Sequence, residues 1–178
     1  DLQETAPDDR DPVLVWREES LLLLEGERLA LPSRAQWRAT GGDLSTARPL
    51  FLLDGRPVWS QELGEQPQRS PAGSRFAAPG SLRGADPKHL AFAVQVGAHL
   101  HRWYENHRFC GRCGGAFRDS DTERALVCPD CGLVAYPRIN PAVIVGVTWG
   151  DRLLLTRYAG RPYRRWALIA GFCEIGES

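Results

Sequence analysis

The chain has 178 residues, 43% hydrophobic and 25% charged, with 22 basic and 22 acidic side chains and a formal net charge of zero. That composition is globular, with room for one ordinary domain or two or three small ones. Charge balance removes any global electrostatic case for a nucleic-acid or membrane binder, and aliphatic runs such as Leu21 to Leu24 fall far short of the ~20 residues that span a bilayer.

The acidic, proline-containing stretch Asp1 to Asp11 reads as a lead-in. It lacks the basic, apolar and small-residue regions of a secretory leader, and a cytoplasmic protein is expected. No methionine occurs anywhere, even at position 1, so the start is expected to be processed or trimmed. Val13 to Leu31 predicts short strands, with Val13-Leu14-Val15-Trp16 separated from the leucine run by a turn at Glu18-Glu19-Ser20. Pro49 to Trp59 predicts a hairpin, because Asp54-Gly55 suits the positive φ of a tight turn. Leu63 to Gly84, rich in Gly, Pro, Ser and Gln, reads as loop.

A helix is predicted next, capped by Asp86 with Pro87 at its first position, where the missing N–H costs nothing. Its apolar face carries Leu90, Val94, Ala98 and His101, with Ala91, Gly97 and Tyr104 nearby, and it runs to about His107. Beyond the cysteines, strands are predicted over Ala142 to Trp149, Arg152 to Tyr158 and Trp166 to Ala170, the first two joined by a turn at Gly150-Asp151.

Four of the five cysteines form the pattern Cys110-x2-Cys113-x14-Cys128-x2-Cys131, each pair followed by glycine. Paired spacing with an odd total fits a reducing compartment and a metal site better than a disulfide framework. Four thiolates satisfy tetrahedral Zn2+ and leave no position for water, so the zinc is expected to be structural. Cys173 stands apart and reads as an incidental thiol. His89, His99, His101 and His107 have no ligand spacing with the cysteines. The run Arg161-Pro162-Tyr163-Arg164-Arg165-Trp166 could hold phosphate or stack on bases; its default reading is a solvated loop between strands.

The four-cysteine motif is followed by Tyr136-Pro137-Arg138-Ile139-Asn140-Pro141-Ala142-Val143-Ile144-Val145 and later by Ala170-Gly171-Phe172-Cys173-Glu174-Ile175-Gly176-Glu177-Ser178. This order resembles the NADH pyrophosphatase branch of the Nudix hydrolases, which also removes NAD caps from RNA. Gly171 and Glu177 match the first fixed positions of the Nudix box, G-x5-E-x7-R-E-U-x-E-E-x-G-U. The later box glutamates lie beyond Ser178, so no catalytic residue is expected within the chain and the chain alone is expected to be inactive.

The resemblance implies an α+β protein. A β-rich N-terminal domain with a linking helix would occupy residues 1–105, a zinc ribbon 106–138, and the start of a Nudix α/β/α sandwich 139–178. It implies hydrolysis of the pyrophosphate of NADH or NAD+ to nicotinamide mononucleotide and AMP, extending to NAD-capped RNA, with catalytic Mg2+ or Mn2+ and a homodimer. Residue by residue, it implies a metal-facing backbone carbonyl at Ala170, substrate-contacting aromatics at Phe172 and Tyr136, and substrate contacts at Glu123 and Arg83. It gives Glu177 a loop-supporting role. Each also has a bland reading: packed aromatics for Phe172 and Tyr136, surface charges for Glu123 and Arg83. Rival functions are a ribbon-bearing Nudix hydrolase of ADP-ribose or another nucleoside diphosphate derivative, and a non-catalytic zinc-ribbon module.

Overall fold

The computed structural model describes residues 6–64, 69–162 and 164–177. The start of the acidic lead-in, residues 65–68 of the expected loop, Tyr163 of the arginine run and Ser178 lie outside the described residues. Two compact units divide the chain, Asp1–Ala135 and Tyr136–Ser178.

In the first unit, β1 (Val13–Arg17) and β2 (Ser20–Leu24) form an antiparallel hairpin turned at Glu18, whose φ is 53°. A short helix, α1 (Arg34–Ala39), follows. Then β3 (Arg48–Leu53) and β4 (Arg56–Glu62) pair antiparallel across Asp54 (φ 51°) and Gly55 (φ 76°). Two successive positive φ values are what the expected Asp-Gly turn requires. With β5 (Ser74–Ala77) they complete a five-stranded sheet in the order β3-β4-β1-β2-β5, in which only β1 and β4 run parallel.

Val13, Leu14, Val15 and Trp16 are all buried. A half-covered strand alternates; an uninterrupted buried run needs cover on both faces. Val13, Val15, Leu22 and Trp59 pack with Trp37 of α1 on one side. On the other, Leu14, Trp16, Leu21, Leu23, Leu50 and Val58 pack with Val94, Ala98 and Leu100 of the long helix α2 (Lys88–Asn106). Buried indoles need partners for their N–H groups, and three have them: Trp16 Nε1 donates to Ser60 Oγ at 3.0 Å, Trp59 Nε1 to Asp11 Oδ2 at 3.0 Å and Trp37 Nε1 to the Asp43 carbonyl at 3.1 Å.

Three local expectations change. The segment expected as loop contains β5, held to the sheet edge by β2; its residues carry no alternating apolar pattern, so only the neighbouring strand reveals it. Helix α1 was not foreseen, although Ser33 and Gln36 form a reciprocal capping box, with Ser33 N donating to Gln36 Oε1 at 2.9 Å and Gln36 N to Ser33 Oγ at 3.2 Å. That S-x-x-Q signal was legible in the chain. Helix α2 starts at Lys88 with Pro87 as its N-cap, and no side chain caps it. The Asp86 carboxylate instead accepts from Arg28 Nε at 3.0 Å. A single 3₁₀ turn, Pro79–Leu82, precedes it.

The cysteine segment adds β6 (Arg118–Asp119), β7 (Leu126–Val127) and β8 (Val134–Ala135) as a three-stranded antiparallel sheet. It is tied to the larger sheet by Arg124, whose guanidinium donates to the Leu50 carbonyl, and by Arg48 Nη1, which donates to Asp119 Oδ1 at 2.8 Å.

In the second unit, β9 (Ala142–Val145) pairs antiparallel with β12 (Ile169–Phe172), and β10 (Thr148–Trp149) with β11 (Arg152–Leu153). The first expected strand is thus interrupted at Gly146-Val147, the second is shorter, and the third lies later, ending at Phe172 rather than Ala170. None of its described residues is buried, and Val143, Ile144, Val145, Trp149, Leu153 and Ile169 are exposed. Helices and mostly antiparallel sheets together make the α+β class the sequence implies.

Candidate metal centre and substrate-contact residues

Each cysteine pair occupies the same backbone turn. Gly114 N donates to the Cys110 carbonyl at 2.9 Å and Cys110 N to the Gly115 carbonyl at 2.7 Å. In the second turn, Gly132 N donates to the Cys128 carbonyl at 2.9 Å and Cys128 N to the Leu133 carbonyl at 2.9 Å. Gly114 and Gly132 sit at φ of 79° and 71°, the left-handed region that glycine enters without steric cost. The repeated turn aims both thiols of a pair the same way.

The turns face each other. Cys110 Sγ lies 3.6 Å from Cys131 Sγ and Cys113 Sγ 3.4 Å from Cys128 Sγ, and all four sulfurs fall within 4.8 Å of one another. A tetrahedral zinc with Zn–S bonds of about 2.3 Å separates its sulfurs by about 3.8 Å, so the four fit that ion with only small shifts. All four cysteines are free thiols.

Protonation chemistry points the same way. Burial raises the Cys110 thiol, but the N–H groups of Arg112 and Cys113 and the neighbouring thiols outweigh it and bring it down to about 7. At Cys113 the Gly115 N–H lowers the thiol, yet the sulfurs of Cys128 and Cys131 push it up to about 12. Four sulfurs at this spacing cannot all ionise without a cation among them. A dication supplies that charge, and the set becomes a closed four-thiolate site with no place for a reacting water.

The other candidates are less concentrated. Glu123 lies between β6 and β7 and lines a cleft of about 360 Å³ with Arg48, Tyr104, Asp119, Asp121 and Arg124. Arg83 is exposed just after the 3₁₀ turn and does not line that cleft. Tyr136 is half-exposed at the start of the second unit. Ala170, Gly171 and Phe172 are consecutive on β12, opposite Ile144, Val143 and Ala142, and Phe172 is 72% exposed. Glu177 closes the next turn, its Oε2 accepting from Glu174 N at 2.9 Å. Among the described residues no carboxylate cluster accompanies Ala170, and the cysteines are the only group that could hold a metal. The chain's own described donors therefore do not fit a catalytic divalent ion. Cys173 is exposed and apart from the cluster.

Arg48 and Arg124, which dock the cysteine segment on the sheet, were not singled out from the sequence. Their partners are 71 and 74 residues away, and no local pattern encodes such a contact.

Residues 105–136 match the NADH pyrophosphatase zinc ribbon domain. A protein named NAD-capped RNA hydrolase NudC from Stutzerimonas stutzeri is 38% identical over 138 residues, covering 76% of this chain and 48% of the relative. A protein of the same name from Pseudomonas aeruginosa is 44% identical over 89 residues, covering 50% of this chain and 31% of the relative. A Nudix hydrolase structure from Nitrosomonas europaea is 38% identical, covers 40% of this chain and 43% of that one, and superposes with a TM-score of 0.31. The chain spans about half the length, or less, of the curated relatives it matches. Residues 105–136 are thus similar to the NADH pyrophosphatase zinc ribbon, and all four clustered cysteines fall within that match.

Proposed function

We propose that this chain supplies the N-terminal domain, the structural zinc ribbon and the first strands of the Nudix fold to an NAD(H) diphosphatase that also accepts NAD-capped RNA. The observation that carries this reading is the 38% identity to a NudC-named hydrolase across 76% of the chain, running through a ribbon whose four sulfurs are already gathered around one point. The apolar side chains exposed on β9, β10, β11 and β12 favour a sheet that packs against further structure, because a sheet face this apolar is stable only when covered.

In the proposed reaction, water adds to one phosphorus of the dinucleotide and the bridging P–O bond breaks. Nicotinamide mononucleotide and AMP leave. Mg2+ or Mn2+ held by residues other than those described would neutralise charge on the phosphate oxygens. The zinc ribbon contributes rigidity. Phe172, at the exposed end of β12, and Tyr136 present ring faces suited to stacking on a base or nicotinamide, and Glu123 and Arg83 offer polar contacts from the N-terminal unit. A homodimer is part of this proposal.

The test is incubation of the full-length protein that carries this chain with NADH, NAD-capped RNA or ADP-ribose, each with Mg2+ or Mn2+, followed by chromatography of the products. Reduced nicotinamide mononucleotide and AMP from NADH support the reading. Cleavage of ADP-ribose with NADH left intact would favour the rival substrate class. Full-length, zinc-loaded protein that cleaves none of them would remove the hydrolase reading.

A further inference from the structure

We propose that the cleft between the five-stranded sheet, α2 and the cysteine segment binds a nucleoside monophosphate, apart from the residues proposed to contact the dinucleotide. The cleft lies wholly within the first unit and has a volume of about 360 Å³. Small-molecule pockets run from about 300 to 1,000 Å³, so this one suits a mononucleotide and is small for a dinucleotide. Neither Glu123, Arg83, Tyr136 nor Phe172 lines it. With the cleft that Glu123 does line it shares only Arg48, Tyr104 and Asp119, so the Arg48–Asp119 ion pair stands between the two.

Charge accounting favours an anion. Each carboxylate on the walls is already answered by a cation or a base: Asp119 by Arg48 at 2.8 Å, Glu62 by His101 Nε2 at 3.0 Å, and Glu105 by Arg108. Arg118 on β6 also lines the cleft, is exposed, and has no carboxylate partner among the described residues. His107 Nδ1 lies 2.7 Å from the Trp103 carbonyl. A carbonyl only accepts, so Nδ1 carries the proton and Nε2 is the nitrogen left for a ligand. Phe117 N donates to the Arg108 carbonyl at 3.1 Å, which sets Arg108 beside Phe117 and Arg118. The Arg108–Glu105 pair is exposed and therefore weak, so Arg108 can exchange that carboxylate for a phosphate dianion. Paired guanidiniums grip phosphate through several N–H donors at once. Half-buried Phe117 and buried Leu126 complete the lining with apolar surface, and an aromatic wall of this kind accepts a flat base. A single phosphate joined to a flat ring matches these walls.

The proposed hydrolysis releases AMP, which has this chemistry. The meaning of the site, a place where product is sensed, rests on that reading, but the test reads binding without turnover. The full-length, zinc-loaded protein that carries this chain is photolabelled with 8-azidoadenosine monophosphate, with no Mg2+ or Mn2+ added, and the labelled peptides are mapped by mass. Label is expected on peptides that hold Tyr104 or Phe117, suppressed by AMP, with adenosine and inorganic phosphate each at least about tenfold less effective. Loss of a charge-assisted hydrogen bond weakens binding about tenfold or more, so Arg118→Ala should raise the AMP concentration needed for suppression by that factor. Arg108→Ala/Arg118→Ala should abolish the label there, and Arg83→Ala should leave it unchanged. Zinc content and circular dichroism check the fold, and Arg118→Gln replaces the alanine variant if that one fails to fold.

Label confined to peptides of residues 136–178 overturns the proposal. So does label at Tyr104 or Phe117 that Arg108→Ala/Arg118→Ala leaves intact. Adenosine as effective as AMP would remove the phosphate contact, and inorganic phosphate as effective as AMP would remove the base; either result overturns a nucleotide site. Failure to cleave NADH leaves the cleft's assignment standing, and failure of the cleft leaves NADH hydrolysis standing.

Discussion

Arg48 on β3 reaches Asp119 on β6 at 2.8 Å while its guanidinium lies 3.8 Å above the ring of Tyr104 on α2. One side chain thereby joins the sheet, the long helix and the zinc ribbon. The ion pair is exposed, at 39% for Arg48 and 59% for Asp119, so it contributes at most about 1 kcal/mol. The ring contact adds about 0.5–1 kcal/mol. Arg48→Ala is expected to destabilise by about 1–2 kcal/mol and Asp119→Asn by less than about 1 kcal/mol. Urea unfolding of both variants and the double variant measures the coupling; additive effects would mean the two side chains do not work together.

Cys113→Ser removes one of four ligands. Zinc stoichiometry should drop and the ribbon should lose protection from amide exchange, because the metal is what orders a segment too small for its own core. Stoichiometric zinc with unchanged melting would contradict the site. The zinc-free protein should also show a thiolate step near pH 7 in absorbance at 240 nm, absent in Cys110→Ser. The sign follows from a folded value of about 7 below an unfolded thiol near 8.5. Stability from Cys110 is present above the unfolded value and is lost as pH falls through about 7.

Gly97 on α2 faces β1 so closely that an added Cβ would lie 2.2 Å from Leu14 Cδ1. Leu14 is fully buried and has little room to yield. Gly97→Ala gains about 1 kcal/mol of helix propensity but costs about 1–3 kcal/mol in overpacking, giving a net loss. In a Leu14→Val background the clashing atom is gone, and Gly97→Ala should then stabilise. The same sign in both backgrounds would disprove the contact as the cause.

Phe172→Ala separates a substrate-stacking ring from a packed one. At 72% exposure its removal should leave stability within about 0.5 kcal/mol and, in the full-length protein that carries this chain, raise KM for NADH. A loss approaching the ~3–5 kcal/mol of a core aromatic, with KM unchanged, would assign the ring to packing.

The sequence alone determined the four-cysteine cluster. Ligand type, C-x2-C spacing and the glycine after each pair are local properties, and a knuckle is a local turn, so Cys110, Cys113, Cys128 and Cys131 were legible before any fold was known. The Asp54-Gly55 hairpin was legible for the same reason, since two positive φ values are a demand on two adjacent residues. The helix from residue 88 to 106 showed in its apolar periodicity, and α1 would have shown in its capping box. Only the tertiary structure decided that β1 is covered on both faces, that β5 is a strand, that Asp86 answers Arg28 rather than capping a helix, and that Arg48 and Arg124 hold the ribbon. These depend on partners tens of residues away. Their free energy comes from burial and pairing that exist only once the chain has brought distant segments together, and no local pattern records it.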